Sequence, residues 1–280
     1  MTHEEKFQAM LDAGVHFGHL KRKWNPEMAP YIHGERKGIH VIDLNKTIVK
    51  LDEACAVARQ MAKSGKKILF VATKKQAKEI VTEKAQSVNM PYITERWSGG
   101  MLTNFATVKK AIRKMSNIDK MKEDGTLSTL SKREQLQVSR QREKLEKNLG
   151  SIADMHKMPA ALFIVDIHNE DIAVKEAKRL GLRTFAVVDT NSNPNEVDYA
   201  IPGNDDATKS IEVILEHFTA AIKEGLSEKK ADTTKKEEAK KAAEAAEKAV
   251  IDAKAEAPAV EAPAKETPAA DAPATDDSSK

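Results

Sequence analysis

One cysteine, two tryptophans, three tyrosines and seven phenylalanines in 280 residues set the first limits on this chain. A lone Cys55 excludes a disulfide scaffold and a cysteine-based zinc site, and it fits a reducing cytoplasm. The amino-terminal residues lack the basic, apolar and small-residue order of a secretory signal. No run reaches the roughly 18 apolar residues a membrane span requires, so no membrane association is expected. Nucleotide loops are missing too: no Gly-x-Gly-x-x-Gly follows a strand-like run, and no Gly-x-x-x-x-Gly-Lys-Ser/Thr occurs. The Gly-x-Ser-x-Gly elbow of serine hydrolases is absent. Cys55 falls on the apolar face of a helix-like stretch, the position of an inert core thiol rather than a nucleophile.

A net excess of either sign is also nearly lacking until the chain is divided. The whole carries 46 basic and 43 acidic side chains, a net of +3. Residues 226–280 hold 10 Lys and 13 acids, a net of −3, which leaves +6 for the remainder. Residues 105–157 hold 13 basic and 7 acidic groups, again +6. The surplus positive charge therefore lies in one segment. A localised basic element points to a phosphate-bearing partner, and the competing reading is a solvated, Lys-rich helical hairpin.

The periodicities predict an α/β body at 1–104 and 158–225, interrupted by 105–157 and followed by 226–280. Thr2 caps a short helix that Gly14 ends, and Asn45 or Thr47 caps another that runs to about Lys63. Ile39–Leu44, Lys66–Ala72, Pro91–Thr94, Ala160–Asp166, Arg183–Asp189 and Val197–Pro202 read as strands, several of them continuous apolar runs of the buried parallel type. Helices are expected over Lys74–Val88 behind Thr73, from Asn169 to Gly181, and from Asp205 or Asp206 to Gly225. Strands feeding directly into helices give a doubly wound, mostly parallel sheet. In 105–157, Phe105, Val108, Ile112, Met115 and Ile118 step by three and four, as do Leu145, Leu149 and Ile152, with Leu136 and Val138 upstream. This predicts an antiparallel coiled-coil hairpin. The Ala/Lys/Glu/Pro segment 226–280 has too little apolar surface to fold and is expected to be a disordered tail.

Three groups of residues could carry chemistry. Lys21-Arg22-Lys23-Trp24 sits in a Gly- and His-rich loop; its cations suit phosphates, and Trp24 either stacks on a partner or covers the core. Arg96-Trp97-Ser98-Gly99-Gly100 combines a cation, an aromatic ring and two residues that permit close backbone approach, and the competing reading is a buried tryptophan beside a turn. Asp166, Asp189, Asp205 and Asp206 fall at strand ends, which converge on one edge of such a sheet, with His19 or His16 delivered by the amino-terminal loop. Carboxylates with imidazole suit one divalent cation, zinc or magnesium. The alternative is helix capping by Asp205 and Asp206 and turn formation by Asp189.

Taken in order, Gly14-Val-His-Phe-Gly-His19, Trp24-Asn-Pro26, Tyr31-Ile32, His40-Val-Ile-Asp-Leu44, Thr73-Lys-Lys-Gln76, Arg96-Trp-x-Gly-Gly-x-Leu-Thr-Asn-Phe105, Asp189-Thr-Asn191, Pro194, Asp198-Tyr-x-Ile-Pro202 and Asn204-Asp-Asp206 resemble the bacterial small-subunit ribosomal protein S2 family across nearly all of 1–225. Ser98 stands where that family commonly has a larger apolar residue. The resemblance implies a non-enzymatic structural constituent of the cytoplasmic ribosome with no required cofactor. It implies binding to small-subunit rRNA between head and body, near the mRNA exit and beside neighbouring small-subunit proteins, including ribosomal protein S1, which it helps to dock. Carried onto this chain, the RNA-binding candidates are Lys21, Arg22, Lys23, Trp24, Arg36, Lys37, Lys74, Lys75, Arg96, Gly99, Gly100, Asn104, Lys109, Lys110 and Arg113. The cation candidates remain His19, Asp189, Asp205 and Asp206. Against this reading stands a metal-dependent enzyme acting on a phosphate-bearing small molecule, which would need a closed pocket at the strand ends.

Overall fold

The computed structural model describes residues 2–155 and 157–255, with side chains through residue 232 and at residue 234. The chain divides into two compact units, Met1–Asp232 and Thr233–Lys280.

In the first unit five strands, β4 (Ile68–Val71), β5 (Tyr92–Ile93), β6 (Ala161–Val165), β7 (Arg183–Val188) and β8 (Tyr199–Pro202), form one sheet in the order β5-β4-β6-β7-β8. Every pairing is parallel. The apolar runs are buried on both faces because alternate side chains enter two separate cores. Ile68, Phe70, Phe163, Phe185 and Val187 join one, together with α1 (His3–Asp12), α2 (Leu44–Lys63), α3 (Lys75–Ser87) and the first turns of α7 (Thr208–Ala255). Leu69, Val71, Leu162, Ile164, Ala186 and Val188 join the other, with α6 (Asp171–Leu180) and the segment from Trp97 to Phe105. Four of the seven phenylalanines (Phe70, Phe163, Phe185 and Phe218) meet with ring centroids 4.5–6.2 Å apart, centring the first core. The expected doubly wound α/β architecture is thus present.

Of a second sheet only the strand at Ile39–Leu44 was legible in the sequence. β1 (Phe17–Leu20), β2 (Ile32–Arg36) and β3 (Ile39–Ile42) pair antiparallel in the order β1-β3-β2. The stretch read as a loop after Gly14 is its edge strand. Lys37 and Gly38 both take positive φ, at 54° and 78°, and close the β2–β3 hairpin. Asp43, ahead of the expected caps, caps α2 through the Asn45 N–H.

The basic insertion forms two helices, α4 (Phe105–Glu123) and α5 (Lys132–Leu149). Phe105 and Leu149 share one core cluster, and Arg142 Nε donates to Asp119 Oδ1 at 2.7 Å, so the helices return on each other. Met115 and Ile118 are buried as the spacing predicts, whereas Leu136 is 53% exposed and lies outside any seam.

Two boundaries move. The carboxylates expected to cap α7 do not; Asn204 Oδ1 accepts from the N–H groups of Asp206 and Ala207 instead. Gly225 does not end α7, which continues to Ala255. A Cβ there would collide with the Arg59 carbonyl oxygen, so this glycine serves close contact between α7 and α2. Beyond it, Glu228 pairs with Arg59 and Lys63, which carries the folded body past the expected tail boundary at 226. Residues 256–280, with the Ala-Pro repeats of the expected tail, lie outside the described residues.

Candidate nucleic-acid interface

Parallel strands aim their carboxyl ends at one edge, and the loops leaving β4, β6, β7 and β8 meet there. The amino-terminal loop is fastened onto this edge by Thr190. Its Oγ1 accepts from the His19 N–H at 2.8 Å, and its carbonyl accepts from the Asn25 N–H at 2.7 Å. Gly18 makes this approach possible, since a Cβ would stand 2.6 Å from Thr190 Cγ2.

The docking delivers His19 to the acidic residues. Nδ1 lies 2.8 Å from Asp189 Oδ2, and Nε2 lies 3.5 Å from Asp206 Oδ2. One ligand atom from each of His19, Asp189, Asp205 and Asp206 falls within 4.8 Å of the others, so the four expected cation ligands are brought together. His16 is not among them; burial lowers its pKa, and its Nδ1 has no partner among the described residues. Hydrogen bonding to Asp189 raises the His19 pKa against the opposing effect of burial. Asp205 is fully buried, and one of its oxygens, Oδ2, has no hydrogen-bond partner among the described residues. Burial first, and then the neighbouring Asp166 and Asp189, push its pKa up to about 7.

Lys74 was expected on the RNA-facing surface. Its ammonium instead lies 2.8 Å from Asp205, 2.6 Å from Asp206 and 3.2 Å from Asp166. Burial alone would lower its pKa, but these carboxylates outweigh burial and raise it. The charge is spent inside the molecule, and Lys74 leaves the surface set. Asp166 meets it from a left-handed backbone conformation, with φ 68°, a strained geometry of the kind that gathers at functional sites.

The remaining cations fall into two exposed regions. Lys21-Arg22-Lys23 forms a single helical turn after β1, and the Lys21 N–H donates to the Gly38 carbonyl at 3.0 Å. That bond places the triplet beside Arg36 and Lys37 at the hairpin tip. Lys21 itself is paired with Glu35 at 2.6 Å. Trp24 is 37% exposed and packs one face on His40, with ring centroids 5.1 Å apart, which leaves its other face to solvent. In the second region Arg96, Ser98, Gly99, Thr103 and Asn104 are exposed around the buried Trp97, and Lys110 and Arg113 are exposed on α4 directly after them. Lys109 lies 4.9 Å over the Phe105 ring, half covered. Gly100 takes φ 85°, a conformation only glycine adopts freely, whereas Gly99 has open space around it. Lys75 stands apart, exposed at the start of α3.

Sequence reasoning missed Glu176. Its carboxylate, 7% exposed on α6, accepts from Trp97 Nε1 at 3.1 Å, the Gly100 N–H at 2.7 Å, the Leu102 and Thr103 N–H groups at 2.9 Å each, and Thr103 Oγ1 at 3.1 Å. Burial raises its pKa, but these donors outweigh burial and hold the group below the usual carboxylate range. The available signal was a glutamate on the same helical face as the buried Ala173, Val174 and Ala177.

Among the described residues the hollows at the strand-end edge are small or open, the widest a shallow groove of about 570 Å³ between α3 and Thr94–Glu95. A cavity of about 220 Å³ lies there among Thr73, Arg96, Trp97, Asn169 and Glu170, while a larger one of about 530 Å³ sits at the opposite edge beside Lys67, Met90 and Ala160.

Residues 10–225 match the family described as Ribosomal protein S2. The small ribosomal subunit protein uS2 of Phocaeicola vulgatus is 66% identical over 226 residues, covering 81% of each chain. Its counterpart in Bacteroides thetaiotaomicron shows the same identity over the same length. That of Flavobacterium johnsoniae is 62% identical over 247 residues, covering 88% of this chain and 96% of the relative. With that match running from the first helix through both exposed basic regions and the ion cluster, the chain belongs to the ribosomal protein S2 family.

Proposed function

We propose that this chain binds small-subunit rRNA through its two exposed basic regions, Lys21–Trp24 with Arg36–Lys37, and Arg96–Asn104 with Lys109, Lys110 and Arg113. Family membership makes the protein a structural constituent of the small ribosomal subunit, acting in translation in the cytoplasm and not as an enzyme. The observation that carries the RNA reading is the contrast between Lys74, neutralised internally, and Arg22, Lys23, Arg36, Lys37 and Arg96, which are exposed and have no ion pair among the described residues. Unpaired surface cations release counterions on meeting phosphates, and Gly-bearing loops admit a backbone closely. Binding is assigned to the junction of head and body near the mRNA exit, beside neighbouring subunit proteins and ribosomal protein S1, which the chain helps to dock. The test is co-sedimentation of the tagged chain with small subunits and mapping of rRNA crosslinks to peptides. Crosslinks confined to residues outside both regions would defeat the assignment.

A second reading concerns one divalent cation, zinc or magnesium, held by His19, Asp189, Asp205 and Asp206. Four carboxylates, Asp166, Asp189 and Asp205 buried and Asp206 exposed, face two nitrogen cations at most, Lys74 and a protonated His19. The unpartnered Asp205 Oδ2 supplies a free ligand oxygen. Elemental analysis of the purified chain tests this; a metal content near zero after dialysis against zinc or magnesium would remove it.

A further inference from the structure

The most heavily hydrogen-bonded carboxylate among the described residues touches no cation: Glu176 has five donors and no ion pair. A buried charge is tolerated when donors satisfy it, and these donors all come from Trp97–Thr103. The loop is thus wrapped around a side chain from α6, while its own Trp97, Met101 and Leu102 anchor it in the second core. Gly100, with its positive φ, turns its N–H back toward that carboxylate. On the other side of Arg96, Glu95 is paired with Lys78 of α3 and Lys147 of α5, at 3.4 Å each. Arg96 is therefore an exposed cation held between two anchored neighbours, with Ser98, Gly99 and Asn104 exposed beside it.

We infer that Glu176 is a positioning residue for RNA recognition: by gathering the N–H groups of Trp97–Thr103 from beneath, it fixes the angle at which Arg96 meets an RNA phosphate. This rests on the RNA reading of the loop. Burial keeps the Glu176 carboxylate itself away from the partner, so its negative charge acts on RNA only at a distance and unfavourably. That separates two roles by sign. If Glu176 contributed charge alone, Glu176→Gln would tighten RNA binding. If it positions Arg96, the same substitution weakens binding, because an amide turns an N–H₂ toward donors and the loop must rearrange.

The experiment is a double-mutant cycle between Glu176→Gln and Arg96→Ala in the full chain, read as affinity for a small-subunit rRNA transcript at fixed salt. Circular dichroism checks the fold of each variant. Arg96→Ala is expected to weaken binding about tenfold, the size of a single charge-assisted bond to phosphate. Glu176→Gln is expected to weaken binding about three- to tenfold when Arg96 is present, with no further loss in the Arg96→Ala background. Trp97 emission, isolated in a Trp24→Phe background, is expected to shift with Glu176→Gln. Equal weakening in both backgrounds makes Glu176 merely structural and overturns the proposal, as does unchanged or tighter binding. If Arg96→Ala alone has no effect, the RNA reading of this loop fails and the proposal falls with it; a Trp97 shift without any RNA effect identifies that case. Where Gln prevents folding, Glu176→Asp, which keeps the charge on a shorter arm, enters the same cycle.

Discussion

His19, Asp205 and Glu176 show how strongly a side chain's behaviour depends on what folding places beside it. Hydrogen bonding to Asp189 raises the His19 pKa, so its stabilising ion pair is fully present below the ordinary value of 6.5 and is lost as pH rises through the higher folded value. A metal needs the neutral imidazole, so zinc affinity is expected to increase from pH 6 to pH 8, measurable by calorimetric titration, and to be lost in Asp205→Asn. Glu176 behaves in the opposite sense. Its folded pKa is lowered, so its contribution is present above the ordinary value of 4.5 and is lost as pH falls. Glu176→Gln is expected to flatten the acid limb of thermal stability while lowering the plateau at neutral pH. An unchanged acid limb would count against the hydrogen-bond account. Cys55 is pushed up to about 12 by burial, which matches an inert thiol; slow modification by a maleimide in the native protein is the expected result.

At the scale of elements, continuous apolar runs such as Ile68–Val71 and Ala161–Val165 were readable as buried parallel strands because nothing else accommodates such runs next to short turns. β1 was not readable: Phe17-Gly-His-Leu20 carries a glycine and a histidine, and only pairing with β3 makes it a strand. Gly225 misled for a related reason. A glycine after an amphipathic run normally marks a helix end, but here it is spent on contact with α2. Gly225→Ala is expected to lower stability by about 1–3 kcal/mol through overpacking against Arg59, measured by urea unfolding. Leu226 packs partly into the first core and Glu228 pairs with Arg59. Truncation after Gly225 is therefore expected to lower Tm by about 2–4 °C, read by thermal unfolding.

For the whole molecule, net charge says little and its distribution says much. Internal pairing consumes Lys74 and part of Lys21, so fewer cations face outward than the composition suggests. Affinity for rRNA is expected to fall linearly with log salt concentration. Replacing Arg22 and Lys23 by Ala reduces the slope by roughly 0.7–0.9 for each phosphate no longer neutralised. A slope that does not change would exclude that patch from the interface.

The class of fold, the helical insertion, the basic surplus and the convergence of Asp166, Asp189, Asp205 and Asp206 on one edge were legible in the sequence, because periodicity and charge are local properties and a parallel sheet gathers its strand ends; that His19 rather than His16 joins them was decided by the docking of the amino-terminal loop on Thr190. Only the tertiary structure decided which charges were free. Whether a lysine meets water or carboxylates depends on residues more than a hundred positions away, as Lys74 and Asp205 show. The loop from Trp97 to Thr103 owes its shape to the same kind of contact, since the carboxylate that gathers its N–H groups lies on a helix far downstream.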